Sequence, residues 1–205
     1  MSKHQFEIPK DPRIRRTQSL LKSALSQLLE EKQFRDVSIT DICKQADIAR
    51  VTFYQHYESK EALLIASVTD FFEGMHKAFD QSALDSYLAT GNMTQLKSTY
   101  QMNLADQNQL RLIRVALQYA GAAVRQLTLA SFLETYSQRE TVLNKKEIQV
   151  LGTFYVGGML TLLEQFLSDQ LTSISQAELQ AATLALLHAS KQGVIQSNIF
   201  RDSLV

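Results

Sequence analysis

The stretch of residues 38–60 gathers side chains whose chemistry suits nucleic acid. It predicts two short helices joined by a tight turn, and the second helix, over about residues 49–56, carries basic, hydroxyl and aromatic groups. Phe53 and Tyr57 face inward in this pattern, with Tyr54 at the margin and the remaining side chains outside. A helix-turn-helix protein presents base-reading groups to the major groove of DNA on such a helix. We therefore predict that this second helix binds double-stranded DNA.

Neighbouring side chains at the start of this helix could read base edges directly. Arg50 is the best candidate, because a guanidinium can bind guanine O6 and N7 in bidentate fashion. Val51 and Thr52 offer methyl groups for contact with thymine. Ser38 and Thr40 open the preceding helix, where they are placed to reach the adjacent DNA backbone.

Local signals predict the elements that position these groups. A first helix over about residues 12–32 begins with Pro at a position where the missing N–H costs nothing. Ser38 and Asp41 have the spacing of a capping box, which predicts the start of the second helix. Cys43 falls on the apolar face of that helix, so we interpret it as a core residue. Asp47 stands at the turn, where Asp tolerates a left-handed backbone better than most residues.

Composition favours an all-α protein. The chain has 205 residues, of which 45% are hydrophobic, with two prolines and seven glycines, so a sizeable helical core is possible. The formal net charge is zero, but residues 1–60 have a balance of +3 and the remainder a balance of −3. This asymmetry suits a DNA reader joined to a second domain, although an ordinary scatter of surface charge would also produce it.

The sequence predicts a cytoplasmic protein without a membrane partner. One cysteine excludes an internal disulfide and fits a reducing compartment. The N-terminus shows no apolar signal-peptide run. The longest uncharged apolar-rich stretch, residues 148–163, has 16 residues, which is short of the roughly 20 that a membrane-spanning helix needs.

Beyond residue 58 the apolar periodicity predicts further helices and no strand alternation. The helix that Ser59 caps should extend to about Phe79, and a variable region should precede Asn144. The other predicted helices cover residues 85–88 and 93–103 with weaker signals, then about 108–127, 147–169 and 176–191.

Residues 13–64 resemble the DNA-binding domain of the TetR family of bacterial transcriptional regulators. The resemblance rests on the arginine-led first helix, the Asp41-Ile42 pair, Ala46 before the turn, and the run of residues 52–64. That run, Thr-Phe-Tyr-Gln-His-Tyr-Glu-Ser-Lys-Glu-Ala-Leu-Leu, is similar to the family pattern Thr-aromatic/aliphatic-Tyr-x-His-aromatic-x-Ser-Lys-Glu-x-Leu-Leu.

The resemblance implies an all-α fold with an N-terminal three-helix helix-turn-helix DNA-binding domain over residues 1–58. It implies a C-terminal helical effector-binding and dimerisation domain over residues 59–205. Tyr54, His56 and Lys60 match family positions that hold DNA phosphates.

The chain departs from the family at three positions. Asp47 and Val51 stand where Gly is common, and Ala49 stands where Ser is common. These departures still allow the helix-turn-helix geometry. They mean that the operator sequence of this protein cannot be inferred from that of a relative.

By the same resemblance, the protein is a homodimer on a palindromic operator and, in the family's common mode, a ligand-responsive repressor. The last two helices would pair with their mates in a second copy; a core within one chain is the alternative for their apolar residues. The predicted interface residues are Leu151, Phe154, Tyr155, Gly158, Leu162, Phe166, Leu184, Leu187 and His188.

The middle helices would enclose a pocket for an unknown small-molecule effector, although for each candidate taken alone plain core packing is the favoured interpretation. The candidates are Phe72, Met75, His76, Phe79, Tyr100, Leu104, Ile113, Arg114, Leu117 and Tyr119.

Two other function classes compete with this interpretation. An enzyme is disfavoured by four scattered histidines and by the lack of a glycine-rich phosphate loop or metal-ligand spacing, so we expect no cofactor or metal. A protein of this fold that acts through a protein partner, without reading a specific operator, is the second alternative.

Overall fold

A computed structural model describes residues 11–77, 106–139, 143–171 and 173–197. All regular secondary structure in these ranges is helical, as the sequence predicts. A short 3-10 turn covers Phe34–Asp36. The α-helices are α1 (Pro12–Glu31), α2 (Ile39–Ala46), α3 (Arg50–His56), α4 (Lys60–Lys77), α5 (Gln107–Arg139), α6 (Lys145–Leu167) and α7 (Gln176–Ser197).

The start of α1 follows from Asp11 and Pro12. The Asp11 side chain accepts a hydrogen bond from the Arg13 amide at 2.8 Å, and proline occupies the first turn. Leu21 and Leu25 are fully buried on the face that packs with α2. Burial of these apolar side chains contributes more to the stability of α1 than its exposed side chains do.

Capping and a left-handed residue define α2 and the turn that follows it. Ser38 and Asp41 form the predicted capping box, with the Asp41 amide donating to Ser38 Oγ at 3.1 Å. Asp47 adopts φ 54° and ψ 47°, which confirms the predicted left-handed turn residue. Cys43 is buried, as predicted. Ala49 is the N-cap of α3 and offers no side-chain oxygen.

The Ser59 hydroxyl caps α4 by accepting a hydrogen bond from the Ala62 amide at 3.1 Å, as predicted. The helix is described as far as Lys77. The predicted end near Phe79 and the helices predicted over 85–88 and 93–103 lie outside the described residues.

The predicted end of α5 near residue 127 is wrong. The helix runs from Gln107 to Arg139, with non-helical backbone angles at Ala120 (φ −135°, ψ 24°). It persists because tertiary burial outweighs weak local propensity: Thr128 and Phe132 are buried beyond the predicted end.

Capping boxes open the last two helices. Asn144 caps α6 by accepting from the Glu147 amide at 3.1 Å, while the Glu147 carboxylate accepts from the Asn144 amide at 2.7 Å. Ser175 and Glu178 repeat this arrangement before α7. Helix α7 is described as far as Ser197, beyond the predicted end at residue 191.

The chain packs as two compact units. The first contains the chain up to Asp70 and the start of α5 as far as Val124, and the second contains the rest. This division differs from the predicted boundary between residues 58 and 59. The start of α4 and the first half of α5 belong with the helix-turn-helix, as the Tyr119–Phe34 ring contact illustrates (5.1 Å between centroids).

Among the described helices, α6 is long and apolar enough to cross a membrane by length and composition. Leu151, Val156 and Leu163 are buried within the protein, so burial in a protein core accounts for its apolar character.

Candidate nucleic-acid interface

One face of α3 is buried and the other lies in solvent. Phe53 is fully buried and contacts the rings of Tyr54 and Tyr57 at centroid distances of 5.6 and 6.1 Å. Val51 is 66% exposed and Tyr54 is 50% exposed. The core therefore fixes the helix by its inner face and leaves the outer face available to a partner.

Arg50 lies on this outer face and is exposed. Its Nη2 atom donates to Tyr54 Oη at 3.4 Å, a contact at the long end of the hydrogen-bond range. That hydrogen bond raises the pKa of Arg50 further, so the guanidinium is charged at any physiological pH. The guanidinium has five N–H donors, and this contact uses one of them.

His56 ends α3 and is half-buried beside Tyr57. Burial lowers the pKa of the His56 imidazole below its ordinary value of 6.5. The ring is therefore neutral near pH 7 and has one N–H with which to donate to an acceptor such as a phosphate.

The Ser38 hydroxyl is engaged at the start of α2. It donates to Asp41 Oδ2 at 2.7 Å and accepts from the Asp41 amide. The bond from the Ser38 hydroxyl, together with one that the Ser38 amide donates to Asp41 Oδ2 at 2.9 Å, lowers the pKa of the Asp41 carboxyl, and Lys32 Nζ, 3.7 Å from Oδ1, makes a smaller contribution. A DNA backbone contact by Ser38 would have to share this hydroxyl, whereas the Thr40 side chain, half-buried two residues further along, has no such bond to Asp41.

The structure argues against the predicted phosphate contact by Lys60. Its Nζ atom donates to the carbonyl oxygens of Phe34 and Val37 at 2.8 Å each and to that of Arg35 at 3.3 Å. It also lies 4.7 Å from the centre of the Phe34 ring. The resemblance could not show this, because the partners are more than 20 residues away in sequence.

The described pocket candidates fall in different units. Ile113, Arg114, Leu117 and Tyr119 belong to the first unit, where Ile113 is fully buried and the Tyr119 ring packs on Phe34. Tyr119 is 40% exposed despite this packing, and its place in an effector pocket stays a prediction. Phe72 is buried in the second unit. Phe79, Tyr100 and Leu104 lie outside the described residues, as do the side chains of Met75 and His76.

Several predicted dimer-interface residues are already buried inside one chain. Leu151, Tyr155 and Leu187 are at most 7% exposed, so they cannot also form a free surface, and their assignment is corrected. Phe154 is 69% exposed and Gly158 is exposed. Leu162, Phe166 and His188 are half-buried, and the Leu184 side chain is not described.

The exposed apolar face of α7 was not predicted. Leu186 is 51% exposed, and it shares one face with exposed small residues at helical spacing. The signal in the sequence was the recurrence at i, i+4, i+7 and i+11. This face consists of Ala182, Leu186, Ala189 and Gly193.

Groups of three or more His, Cys, Asp or Glu residues that could hold a metal ion are absent from the part of the chain that the structure describes.

Residues 21–67 match the sequence profile described as bacterial regulatory proteins of the tetR family. The chain is 38% identical over 55 residues to the HTH-type transcriptional regulator EthR of Mycolicibacterium smegmatis, which covers 27% of this chain and 25% of that protein. It is 44% identical over 55 residues to the uncharacterized HTH-type transcriptional regulator YxbF of Bacillus subtilis, covering 26% of this chain and 14% of that one. Each match thus spans about a quarter or less of the relative's length.

Two solved structures share the fold over most of the chain. The TetR family repressor AlkX from a Dietzia species has a TM-score of 0.57 at 14% identity and covers 93% of this chain and 100% of that one. A TetR transcriptional regulator from a Rhodococcus species has a TM-score of 0.52 at 16% identity, with 87% and 97% covered. Residues 21–67 are thus similar to the helix-turn-helix region of the tetR family of bacterial regulatory proteins, and the chain shares its helical fold with these two TetR structures.

Proposed function

We propose that this protein is a DNA-binding transcriptional regulator that acts as a homodimer on a palindromic operator. One observation carries the proposal: α3 is anchored by the buried Phe53 while Arg50, Val51 and Tyr54 stand in solvent. Exposed aromatic and aliphatic groups beside a guanidinium form a surface suited to base edges and phosphates. Its place is the cytoplasm, where the operator would be.

The proposed DNA contacts divide into two kinds. Arg50 binds guanine O6 and N7, and Val51 and Thr52 contact thymine methyl groups. The Tyr54 hydroxyl and the neutral His56 ring donate to phosphates, while Ser38 and Thr40 meet the backbone at the start of α2.

Basic side chains near the N-terminus support an approach to phosphates. Arg13, Arg15 and Arg16 are all exposed in the first turns of α1. Cations at this end oppose the helix dipole, so they are poorly placed for helix stability and better explained by an external anion. They would add a salt-dependent, sequence-independent contribution to the affinity.

Selection of operators from random duplex DNA tests the proposal. Arg50→Ala should weaken binding to the selected duplex by about 1–3 kcal/mol and relax the preference at one base pair per half-site. Lys146→Ala, which removes one exposed positive charge from the second unit, is the matched control and should bind like the parent. If selection enriches no sequence, or Arg50→Ala binds like the parent, the proposal fails.

The homodimer is proposed from the exposed apolar faces of the last two helices. Phe154 and Val150 on α6 and Leu186 on α7 are more than two-fifths exposed in one chain. Two-fold pairing of α6 and α7 with their copies would bury these groups and supply the second α3 that a palindrome needs.

Gly158 allows a clean test of this interface. A Cβ added there meets no atom within 4 Å among the residues that the structure describes, so the single chain tolerates a larger side chain. Gly158→Arg should therefore leave the helical content unchanged and convert the dimer to monomer at micromolar concentration. An unchanged dimer would place the interface elsewhere.

We propose further that a small-molecule effector binds the second unit and releases the operator, which makes the protein a ligand-responsive repressor. The support is the family resemblance, with Phe72 as a described candidate for the pocket. The coupling would be reciprocal, so operator DNA must weaken the effector as much as the effector weakens DNA. Repeating the operator selection with a metabolite mixture tests this step.

A regulator that acts through a protein partner is the alternative function. It predicts that the outer face of α3 binds duplexes without sequence preference, so the same selection experiment separates the two functions.

A further inference from the structure

The ammonium group of Lys60 sits in a cradle of carbonyl oxygens. An ammonium has three N–H donors, and Lys60 directs hydrogen bonds to three carbonyls, those of Phe34, Arg35 and Val37. The Phe34 ring lies 4.7 Å from the same nitrogen and adds a cation–π contact. The charge is thus satisfied within the protein.

This cradle ties the first residue of α4 to the connection between α1 and α2. The 3-10 turn of Phe34–Asp36 leads directly to Ser38, the N-cap of α2. The ring of Tyr119 on α5 packs on Phe34 at 5.1 Å, so a third helix holds the same turn. Any shift of this turn moves the start of α2 and, through the tight turn at Asp47, the direction of α3.

We propose that Lys60 is a positioning residue for DNA recognition and that its side chain does not contact a phosphate. It fixes the turn of residues 34–37 against α4, and so sets where the two helices of the helix-turn-helix point. The inference rests on the proposed DNA-binding function. It differs from the role that the family resemblance implies for this position.

The local chemistry favours this role. To reach a phosphate, the ammonium would have to give up its hydrogen bonds to three carbonyl oxygens. Two of these hydrogen bonds are part-buried. The Phe34 carbonyl would keep a hydrogen bond from the Val37 amide at 3.2 Å, but the carbonyls of Arg35 and Val37 would each lose a donor. Loss of the donor to a part-buried carbonyl costs free energy, so the bound and free proteins should both keep the cradle.

Lys60→Arg separates the two roles. A guanidinium keeps the positive charge and binds phosphate well, but its planar fork cannot point three donors at this cradle as an ammonium does. A phosphate contact therefore predicts that Lys60→Arg binds DNA like the parent. A positioning role predicts that specificity is lost although the charge is kept.

The experiment measures binding of the parent, Lys60→Arg and Lys60→Met to the selected operator and to an unrelated duplex over a range of salt concentrations. Lys44→Met, at an exposed position on α2, is the control for a lost charge. All proteins are compared at a temperature where circular dichroism shows them folded. If Lys60→Met does not fold, Lys60→Arg alone decides.

For a positioning role, both Lys60 variants should lose about tenfold or more in the ratio of operator to unrelated-duplex affinity, the equivalent of one disturbed base contact. Their salt dependence should match the parent. The proposal is overturned if Lys60→Arg keeps the parent's ratio, or if the salt slope of Lys60→Met falls by about 0.9 for each lost phosphate contact. A parent without operator preference would instead refute the proposed function.

Discussion

Phe154→Ala tests the proposed dimer interface quantitatively. The Phe154 side chain is 69% exposed in one chain, so of the roughly 200 Å² that a phenylalanine presents, about 140 Å² remains to be covered. At about 25 cal/mol per Å², complete coverage would contribute up to roughly 3.5 kcal/mol per copy. Alanine keeps the Cβ atom and association has its own costs, so about 1–2 kcal/mol per copy is expected.

A two-fold dimer contains two copies of the residue. The change should therefore weaken dimerisation by about 2–4 kcal/mol, which raises the dissociation constant roughly 30- to 700-fold. Because Phe154 is so exposed in the single chain, the variant should keep the helical content of the parent.

Sedimentation equilibrium at nanomolar to micromolar concentration measures this change. Gln149→Ala is the matched control, since Gln149 is also exposed on α6 but at the polar flank of the helix. The control should dimerise like the parent. If Phe154→Ala dimerises like the control, the exposed face of α6 is not the interface.

Three further predictions concern the folded chain itself. Gly152→Ala places a Cβ 2.8 Å from the buried Phe132 ring, so in urea unfolding it should destabilise the protein by about 1–2 kcal/mol after the gain in helix propensity is subtracted. Gly157→Ala is the control and should be neutral or stabilising. Equal stabilities of the two variants would contradict this packing. Ser38→Ala removes the α2 cap and should cost about 0.5–2 kcal/mol, measured by the same unfolding, whereas an unchanged midpoint would contradict a capping role. Because burial lowers the pKa of His56 in the folded protein, the unfolded chain binds more protons just below pH 6.5, and the free energy of unfolding should fall as the pH drops through that region. His56→Gln should lose less stability than the parent between pH 7.5 and 5.5. An equal loss of stability in both proteins would contradict this reasoning.

Local chemistry made the first three helices predictable. Pro12 starts α1, Ser38 and Asp41 start α2, and Asp47 permits the left-handed turn, all within a few residues of the feature that they determine. The exposed face of α3 was likewise predictable, because the spacing of its buried aromatic residues defines the opposite face.

Features that depend on distant contacts were not predictable in this way. The role of Lys60 depends on carbonyls in the turn at Phe34, and the length of α5 depends on burial of Phe132 against other helices. The predicted dimer interface included apolar residues from both the buried and the exposed face of α6. A helix that is apolar all round gives no such separation in its sequence, so Leu151 and Phe154 looked equivalent although one is buried and the other exposed.

The first unit is discontinuous along the chain, and this limits how its helix-turn-helix can be exchanged or truncated. Arg111 on α5 forms an ion pair with Glu30 at 3.8 Å, and the Tyr119 ring packs on Phe34. The first half of α5 is therefore part of this unit, although it lies more than 40 residues after the junction of α3 and α4 in the sequence. A fragment cut after residue 70 would expose the surfaces that this segment covers. A chimaera that replaces the DNA-binding unit of this chain with that of another protein would need to replace the segment corresponding to residues 105–124 together with the N-terminal helices.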